Sequence, residues 1–316
     1  MSIAKPFRLL CASAIVAGSV SLVWMVFAHS DPLPAGASRI STSTRDGPRT
    51  AIILPAGRGP HPTVIVLHGG SGTAEEVAHD TGFAEAAARR NFTAVFAQGL
   101  WRQWQDGRVG RSGPPDDVAF LTALVDRLIA SGIALRGHVY ISGISNGGSM
   151  SFAMACKAGH LFRGLGTVVA NMPGGLDRCD PLPMPLVMIN GSDDPLEPYQ
   201  GGKVGWISGG GTLWSVGQTT DFFVRVNGCA GSTQQALPQH DPKSPTHVTE
   251  IRWDGCHSGK PVVLYRVEGG GHQIPGAPAL PTFLFGQSTK DISAADAILS
   301  AFAQEEADQG SGRISP

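Results

Sequence analysis

One serine of the sequence stands in a setting that suits nucleophilic catalysis. Ser145 is the central residue of GISNG at positions 143–147, which matches the pattern G-x-S-x-G. Small residues on both sides of such a serine permit a turn so tight that the hydroxyl stands clear of the backbone. Because the chain has 42 Gly in 316 residues, the pattern also arises by chance, and its surroundings must support the interpretation. The alternative is a turn serine without a catalytic role.

A nucleophilic serine needs a general base, because an isolated hydroxyl is too weakly acidic to attack a carbonyl at neutral pH. In sites of this pattern the base is a histidine that follows the acid along the chain. His272 lies at the end of VEGGGH, a glycine-rich loop that follows the apolar run Pro261–Val267 and can direct an imidazole over the edge of a sheet. The other late histidines are interpreted as surface residues: His240, His247 and His257.

Two adjacent aspartates are candidates for the acid that orients the base. The apolar run Pro185–Ile189 leads into NGSDDP at 190–195, which places Asp193 and Asp194 where a strand ends. A carboxylate at that position can hold an imidazole in one orientation. Either residue can instead serve as a turn former, and the local chemistry does not separate the two.

A glycine-rich loop supplies donors for a developing oxyanion. LHGGS at 67–71 follows the apolar run Thr63–Leu67. In this arrangement one backbone N–H comes from the residue after the nucleophile and the other from such a loop. The sequence therefore predicts Asn146 and Gly70 as the donors, and His68 as a structural residue of the loop.

The elements that must position these residues alternate between strand and helix. Apolar runs suited to buried parallel strands are Thr63–Leu67, Thr93–Ala97, Val139–Ile144, Gly166–Ala170, Pro185–Ile189 and Pro261–Val267. Helical periodicity predicts helices at Ala74–Arg90, Pro115–Ser131, Asn146–Ala158, Thr219–Val226 and Ile292–Gln304. Such alternation predicts an α/β fold in one domain, with a mostly parallel central sheet and helices on both faces. Ser145 then lies at the carboxyl edge of that sheet, where ligands bind.

Composition narrows the class of partner. Charged residues make up 16% of the chain, the net charge is −1, and no basic block is present, so a nucleic-acid partner is not expected. The chain has no C-x-x-C pair, which argues against zinc. The candidate chemistry implies neither a metal nor an organic cofactor.

The N-terminus has the pattern of an export signal. Lys5 and Arg8 precede the mostly apolar run Leu9–Ala28, and small residues at positions 28 and 30 predict cleavage before Asp31. The run is also long enough for an uncleaved membrane anchor, which stays open as an alternative. We interpret residues 1–30 as the signal, 31–47 as a linker, 48–304 as the catalytic domain and 305–316 as a polar tail.

Four cysteines remain once Cys11 is assigned to the signal. An even number in an exported chain favours disulfides. Four cysteines allow three pairings, and proximity along the chain favours Cys156–Cys179 and Cys229–Cys256.

Seven segments occur in order between about Thr50 and Ala303: LHGG, GLWRQWQDGR, DDVAFLTALVDRL, VYISGISNGG, NGSDDPLEPYQGG, VNGC and LYRVEGGGHQIPG. Together they resemble the secreted poly(3-hydroxybutyrate) depolymerase and feruloyl esterase group of α/β-hydrolases. The resemblance implies an α/β-hydrolase fold with Ser145 as nucleophile and His272 as base. It also implies Asp194 as the acid, because the acid of that family stands a few residues before a Pro-Tyr-x-Gly-Gly stretch, here PYQGG at 198–202.

The chain departs from the family near the expected pocket. The family commonly has an aromatic residue, usually Trp, two positions after the catalytic histidine, and this chain has Ile274. We also expect no polymer-binding module after the catalytic region, so soluble esters or oligomers are the expected substrates. Candidate lining residues are Trp101, Trp104 and Ile274, with core packing as the alternative for the two tryptophans.

These observations favour an exported serine carboxylesterase. A peptidase or thioesterase on the same fold stays open, because a Ser-His-Asp triad defines acyl transfer but not the leaving group. A non-catalytic, envelope-anchored binding protein is the alternative from another class.

Overall fold

A ten-stranded sheet forms the centre of the molecule. The computed structural model describes residues 33–108, 115–176, 178–205 and 210–310. The strands are β1 (Ser38–Thr44), β2 (Gly47–Leu54), β3 (His61–Leu67), β4 (Thr93–Ala97), β5 (Ala134–Ile144), β6 (Leu165–Val168), β7 (Leu186–Gly191), β8 (Gly202–Lys203), β9 (Thr212–Leu213), β10 (Gly231–Ala236), β11 (His247–Asp254) and β12 (Val262–Glu268). The sheet order is β1-β2-β4-β3-β5-β6-β7-β12-β11-β10, and β8 pairs separately with β9.

The middle six strands of this sheet, from β4 to β12, run parallel, and antiparallel strands flank them on both sides. Strands β4, β6 and β7 are buried throughout. Such near-continuous burial is typical of parallel strands covered on both faces, and it explains why their sequences are apolar runs rather than alternations. Because the strands are parallel, the loops after β3, β5, β7 and β12 all leave from the same edge of the sheet.

Helices cover both faces of the sheet. They are α1 (Ala74–Asp80), α2 (Phe83–Arg89), α3 (Asp117–Ala130), α4 (Asn146–Ala158), α5 (Val216–Asn227), α6 (Thr282–Phe285) and α7 (Ala294–Gly310). One buried apolar cluster contains residues of α3, α4 and α5, and a second contains residues of α1, α2 and α7. The predicted α/β fold, with a mostly parallel sheet covered on both faces, is confirmed.

One predicted helix is divided in two. The periodic segment Ala74–Arg90 forms α1 and α2, which are separated at Gly82. Gly82 has a φ of 76°, in the left-handed region that glycine adopts without steric cost. Thr73 and Glu76 form a capping box that fixes the start of α1. The hydrophobic period continues across the break, because both short helices pack on the same face of the sheet.

Two predicted boundaries of the catalytic domain are wrong. The segment 31–47 was expected to be a linker, but Ser38–Thr44 is strand β1, paired along its whole length with β2. Strand β1 is an edge strand in which only Thr42 is buried, so its composition is that of a polar connection. Helix α7 likewise extends through the start of the expected tail to Gly310, and the buried Glu305 forms an ion pair with Lys260.

The signal at residues 1–30 and the end of the tail, 311–316, lie outside the described residues. From Leu33 onwards the chain forms one contact unit. Within the part of the chain that the structure describes, no helix has the length and apolar character needed to span a bilayer.

Both disulfides favoured by proximity along the chain are present. Cys156 at the end of α4 is bonded to Cys179, and Cys229 after α5 is bonded to Cys256. The first bridge ties a helix to a loop, and the second joins two loops.

Candidate active site

Ser145 occupies a strained turn between β5 and α4. Its backbone has φ 53° and ψ −124°, a combination that costs a residue with a Cβ roughly 1–3 kcal/mol and is found mainly at functional sites. A Cβ on Gly143 would overlap the carbonyl of Gly147, and a Cβ on Gly147 would overlap the His68 carbonyl oxygen. The glycines of the GISNG segment are therefore required by backbone contacts around the turn. The half-buried serine is held by its N–H, which donates to the Val168 carbonyl at 2.9 Å.

The loop after β3 lies against this turn. A Cβ on Gly69 would be 3.5 Å from the Ser145 Cβ, and one on Gly70 would be 3.7 Å from the Asn146 Cβ. The backbone N–H groups of Gly70 and Asn146 donate to no other residue among those described. The structure thus brings both predicted donors beside Ser145. Asn146 also begins α4, where the helix dipole favours negative charge.

The His68 side chain holds the loop after β3 in place through hydrogen bonds. It is fully buried, and the Gly99 N–H donates to its Nε2 at 2.9 Å. Because Nε2 accepts, the proton is on Nδ1, which donates to the Gly69 carbonyl at 2.7 Å. Burial lowers the pKa of His68 to about 4, so the imidazole is neutral at pH 7. These contacts agree with the structural role predicted for His68.

Asp194 and His272 meet at the same edge of the sheet. The Asp194 Oδ2 lies 2.7 Å from the His272 Nδ1, and both side chains are buried. The Asp194 Oδ1 accepts from the backbone N–H groups of Leu196 and Glu197, each at 2.8 Å. These contacts separate the two aspartates, because Asp193 is exposed and accepts only from the Ser192 hydroxyl among the described residues.

The loops that carry the pair are fixed by neighbouring backbone. The His272 N–H donates to the Phe285 carbonyl at 2.6 Å, and the Asp193 N–H donates to the Gly270 carbonyl at 2.9 Å. Since β7 and β12 are adjacent parallel strands, their following loops are placed side by side. The remaining late histidines, His240, His247 and His257, are exposed, as expected.

A second buried carboxylate stands beside this pair. Burial alone lowers the pKa of His272, but the charge and hydrogen bond of Asp194 and the charge of Glu197 outweigh it, so the pKa is raised. Burial raises the pKa of Glu197 to about 7, although the positive charge of Arg108 opposes this. Asp194 and Glu197 therefore favour the protonated form of the imidazole, whereas burial and the charge of Arg108 oppose it.

The three predicted lining residues have different environments. Trp101 is 76% exposed, with φ 50°, next to Arg102 with φ 59°. The Arg102 carbonyl accepts from the Ser71 N–H at 2.6 Å, so this strained turn is bound directly to the loop that carries Gly70. Ile274 is half-buried against the apolar cluster of α1, α2 and α7, and its lining role stays a prediction.

The prediction that Trp104 lines the pocket is wrong. Its side chain is fully buried, and its indole N–H donates to the His68 carbonyl at 2.9 Å. It packs in the core between the sheet and α3, with its ring stacked on that of Phe120. Core packing, the alternative interpretation of this tryptophan, is the one observed.

Sequence reasoning missed three buried charged residues beside the site. They are Asp106, Arg108 and Glu197. The signal was their charge in a chain that has little of it, within the segments WQDGR and DDPLEP that carry the resemblance. Among the described residues there is no group of His, Cys, Asp or Glu that could hold a metal ion.

Known proteins are similar to this chain in sequence and in fold. No protein-family model matches it. It is 30% identical over 260 residues to a protein of Nocardia uniformis subsp. tsuyamanensis named as a putative esterase, covering 77% of this chain and 73% of that protein. It is 26% identical over 212 residues to feruloyl esterase C of Emericella nidulans, covering 64% of this chain and 72% of the relative.

A solved structure shows the same fold. The S-formylglutathione hydrolase of Agrobacterium tumefaciens superposes with a TM-score of 0.54 at 12% identity, covering 87% of this chain and 98% of the other. The sheet, the strand-to-helix turn and these comparisons define an α/β-hydrolase. The chain belongs to the esterase family of α/β-hydrolases, as the resemblance implied, and is an ester hydrolase.

Proposed function

We propose that the chain is an exported serine carboxylesterase that acts through an acyl-enzyme. Ser145 is the nucleophile, His272 the general base and Asp194 the acid that orients it. Gly70 and Asn146 donate their backbone N–H groups to the oxyanion. The observation that carries the proposal is the buried Asp194–His272 hydrogen bond of 2.7 Å. It lies at the same edge of the sheet as the strained turn of Ser145.

In the first half of the reaction, the Ser145 hydroxyl attacks the ester carbonyl and its proton passes to the His272 Nε2. The proton on Nδ1 stays in the hydrogen bond to Asp194, which fixes the tautomer. The carbonyl oxygen becomes an oxyanion between the Gly70 and Asn146 N–H groups. The tetrahedral intermediate then expels the alcohol, which takes the proton from His272. In the second half, water repeats these steps on the acyl-enzyme and releases the acid.

The charges around His272 favour this sequence of steps. The imidazolium that forms during each half-reaction faces Asp194 and lies in the field of Glu197. Because the site is buried, these charges are screened less than they would be at the surface. The arrangement therefore stabilises the charge that develops in the transition state.

The proposed substrates are small soluble esters with an aromatic or short acyl group. The relative in Emericella nidulans is named as a feruloyl esterase, which suggests a phenolic acyl group. An exposed indole at Trp101 offers a flat apolar surface on a turn that is hydrogen-bonded through Arg102 to the loop of Gly70. Ile274, in place of an aromatic residue, makes the other candidate wall aliphatic.

Export is supported by the disulfides. Two bridges are present, and disulfides persist mainly in oxidising compartments. The proposed signal at residues 1–30 would deliver the chain to such a compartment, either free after cleavage before Asp31 or anchored by the uncleaved segment.

A fluorophosphonate probe tests the triad directly. The purified protein should form one covalent adduct, and peptide mapping should place it on Ser145. Labelling should be lost in Ser145→Ala and strongly reduced in His272→Ala. An unlabelled wild-type protein would point to the non-catalytic binding protein.

A hydrolysis panel tests the substrate class. Methyl ferulate, short aryl esters, hydroxybutyrate oligomers, polymer film, a thioester and a peptide substrate should be compared at equal enzyme concentration. The proposal expects the oxygen esters to exceed the thioester and peptide in kcat/KM, and soluble esters to exceed the film. A peptide or thioester ranked first would overturn the carboxylesterase assignment while leaving the triad intact.

A further inference from the structure

A chain of buried polar contacts joins the two halves of the site. The Asp106 Oδ2 accepts from the Asn146 Nδ2 at 2.6 Å and from the Arg108 Nε at 2.8 Å. The Arg108 guanidinium also donates to the Glu197 Oε1 at 3.2 Å. The backbone N–H of Glu197 in turn donates to the Asp194 Oδ1. The contacts therefore run from the residue after the nucleophile to the acid that orients the base.

Every charged side chain in this series is removed from solvent. The side chains of Asp106 and Arg108 are 0% exposed and that of Glu197 is 1% exposed. Burying charges costs several kcal/mol per ion, and a well-packed apolar cluster of similar volume is often at least as stable. Stability therefore gives a weak reason for charges at these positions, whereas their contacts with both halves of the site give a specific one.

We propose that Arg108 and Glu197 are positioning residues that couple the Ser145 turn to the Asp194 loop, and that Glu197 acts electrostatically on His272. This proposal rests on the proposed function of the site. Arg108 is suited to the role because its planar guanidinium presents donors in two directions, towards Asp106 and towards Glu197. A lysine carries the charge but not this fork.

The environment of Glu197 allows its carboxyl group to be either protonated or ionised. Its Oε2 is buried and has no hydrogen-bond partner among the described residues, so the ionised form is incompletely satisfied. The charged groups that act on it are Arg108, His272, Asp194 and Asp106. Since its pKa is about 7, the charge beside His272 changes over the pH range in which the enzyme would work. Glu197 and His272 should then titrate as a coupled pair.

The first test is the pH dependence of kcat/KM for a short aryl ester, in the wild type and in Glu197→Gln. His272 must be neutral to accept the proton, so activity falls on the acid side. Because the charge of Glu197 raises the pKa of His272, its removal should move the acid limb to lower pH. The wild-type limb should also be broader, because two groups titrate together.

Glu305→Gln is the matched control. Glu305 is also a buried carboxylate paired with a cation, but its partner Lys260 precedes β12, at the opposite end from His272. This variant should keep the wild-type acid limb, even where it unfolds at a lower temperature. An acid limb in Glu197→Gln that coincides with the wild-type limb would overturn the electrostatic role.

The second test is a double-mutant cycle on kcat. Arg108→Lys and Glu197→Gln should each lower kcat about tenfold with little change in KM, because they disturb positioning rather than substrate binding. Removing both should cost little more than either change alone, since they act as one unit. Additive losses, or losses confined to KM, would refute the coupling.

Fluorophosphonate labelling keeps this proposal separate from the proposed function. If the wild type is unlabelled and inactive on every ester, the proposed function fails. If the wild type is labelled and active but Arg108→Lys and Glu197→Gln match it in kcat and in pH profile, only the positioning proposal fails. Thermal unfolding of each variant identifies any that do not fold, and in that case the remaining variant decides.

Discussion

At the scale of single residues, the candidate site requires glycine on both sides of Ser145, because a Cβ at either position would overlap neighbouring backbone. A methyl group on Gly143 would overlap the Gly147 carbonyl within the turn at Ser145, and one on Gly147 would overlap the His68 carbonyl in the loop after β3. Ser145 itself is strained in this turn, with a φ of 53°. The turn is possible because residues 143 and 147, two positions away on either side, have no side chains.

The Ser145 turn yields a prediction about glycine. Gly147→Ala should destabilise the fold by several kcal/mol or abolish activity, because its methyl group overlaps the His68 carbonyl and that carbonyl is held by the Trp104 indole. The matched control is Gly217→Ala in α5, where the nearest atom to the new Cβ is 3.8 Å away. That change should raise stability by about 0.5–1 kcal/mol through helix propensity. Chemical denaturation of both variants measures the contrast, and a Gly147→Ala protein with wild-type stability and activity would contradict the close approach.

Substitutions at two neighbouring aspartates test which of them is the acid that orients His272. Asp194→Asn should lower kcat by about three to four orders of magnitude, because the imidazole loses the partner that fixes its tautomer. Asp193→Asn is the matched control and should leave kcat near the wild-type value, since that side chain is exposed and bonded to Ser192. Ester turnover under saturating substrate provides the measurement. The reverse ranking would assign the acid to Asp193.

At the scale of elements, the parallel core could be predicted from sequence and the edges could not. Strands such as β4 and β7 are buried on both faces, so their apolar runs are visible without knowledge of the fold. Strand β10 is exposed at every residue and β1 at most, so their sequences carry no apolar signal. Those strands form because β2 and β11 supply backbone hydrogen-bonding partners for them. The local sequence of an edge strand does not indicate that such a partner is present.

The residues of the candidate site also divide into those that the sequence could predict and those that it could not. Ser145 and His272 are marked by strand ends and glycine-rich loops, which are local patterns. Trp104 could not be assigned from the sequence, because whether an indole faces a pocket or the core depends on where the following turn leads. The contact between Arg108 and Glu197 joins residues 89 apart, and a single sequence contains nothing that pairs them.

The turn that contains Trp101 gives a prediction about substrate binding. Trp101→Ala should lower kcat/KM for an aryl ester by about tenfold, the scale of one well-placed apolar contact. It should leave the melting temperature nearly unchanged, because the side chain is 76% exposed. Leu182→Ala is the control, since Leu182 is also exposed but precedes β7, at the other edge of the sheet. Equal kcat/KM in Trp101→Ala and the wild type would remove Trp101 from the binding surface.

The bridge Cys229–Cys256 should affect stability rather than catalysis. It closes a loop of 27 residues, and its removal by the double Ser substitution should cost about 3 kcal/mol on the chain-entropy model. Cys256 lies before β12, whereas His272 lies after it. The values of kcat/KM at 25 °C should therefore stay within about twofold of the wild type, given the separation. A parallel loss of activity in the folded variant would show that the bridge reaches the site.

At the scale of the whole molecule, few charges are present and several are buried. Only 16% of the residues are charged, yet Arg49–Asp117, Arg108–Glu197 and Lys260–Glu305 are all ion pairs with buried carboxylates. Each pair links segments distant in the chain. Burial raises the pKa of Asp117 and of Glu197, so the free energy of unfolding should depend on pH even though the net charge is only −1.

The sign of that dependence near neutrality follows from Glu197 and His272. In the unfolded chain Glu197 loses its proton near the ordinary pKa of 4.5, whereas in the folded protein the pKa is about 7. Between these values the folded state binds more protons, so this group lowers stability as pH rises, by on the order of 3 kcal/mol in total. His272 acts in the same direction, because its raised pKa contributes stability below the ordinary value that is lost as pH rises through the folded value.

Glu197→Gln should therefore flatten the pH dependence of unfolding. Between about pH 5 and pH 7, the free energy of unfolding of the wild type should fall more steeply than that of the variant, by up to about 1.4 kcal/mol per pH unit for one proton. Ser145→Ala is the control, because it alters the site without removing a titratable group, and it should keep the wild-type slope. Urea denaturation at a series of pH values gives the three slopes. Equal slopes for the wild type and Glu197→Gln would mean that Glu197 ionises in the folded protein as it does in the unfolded chain.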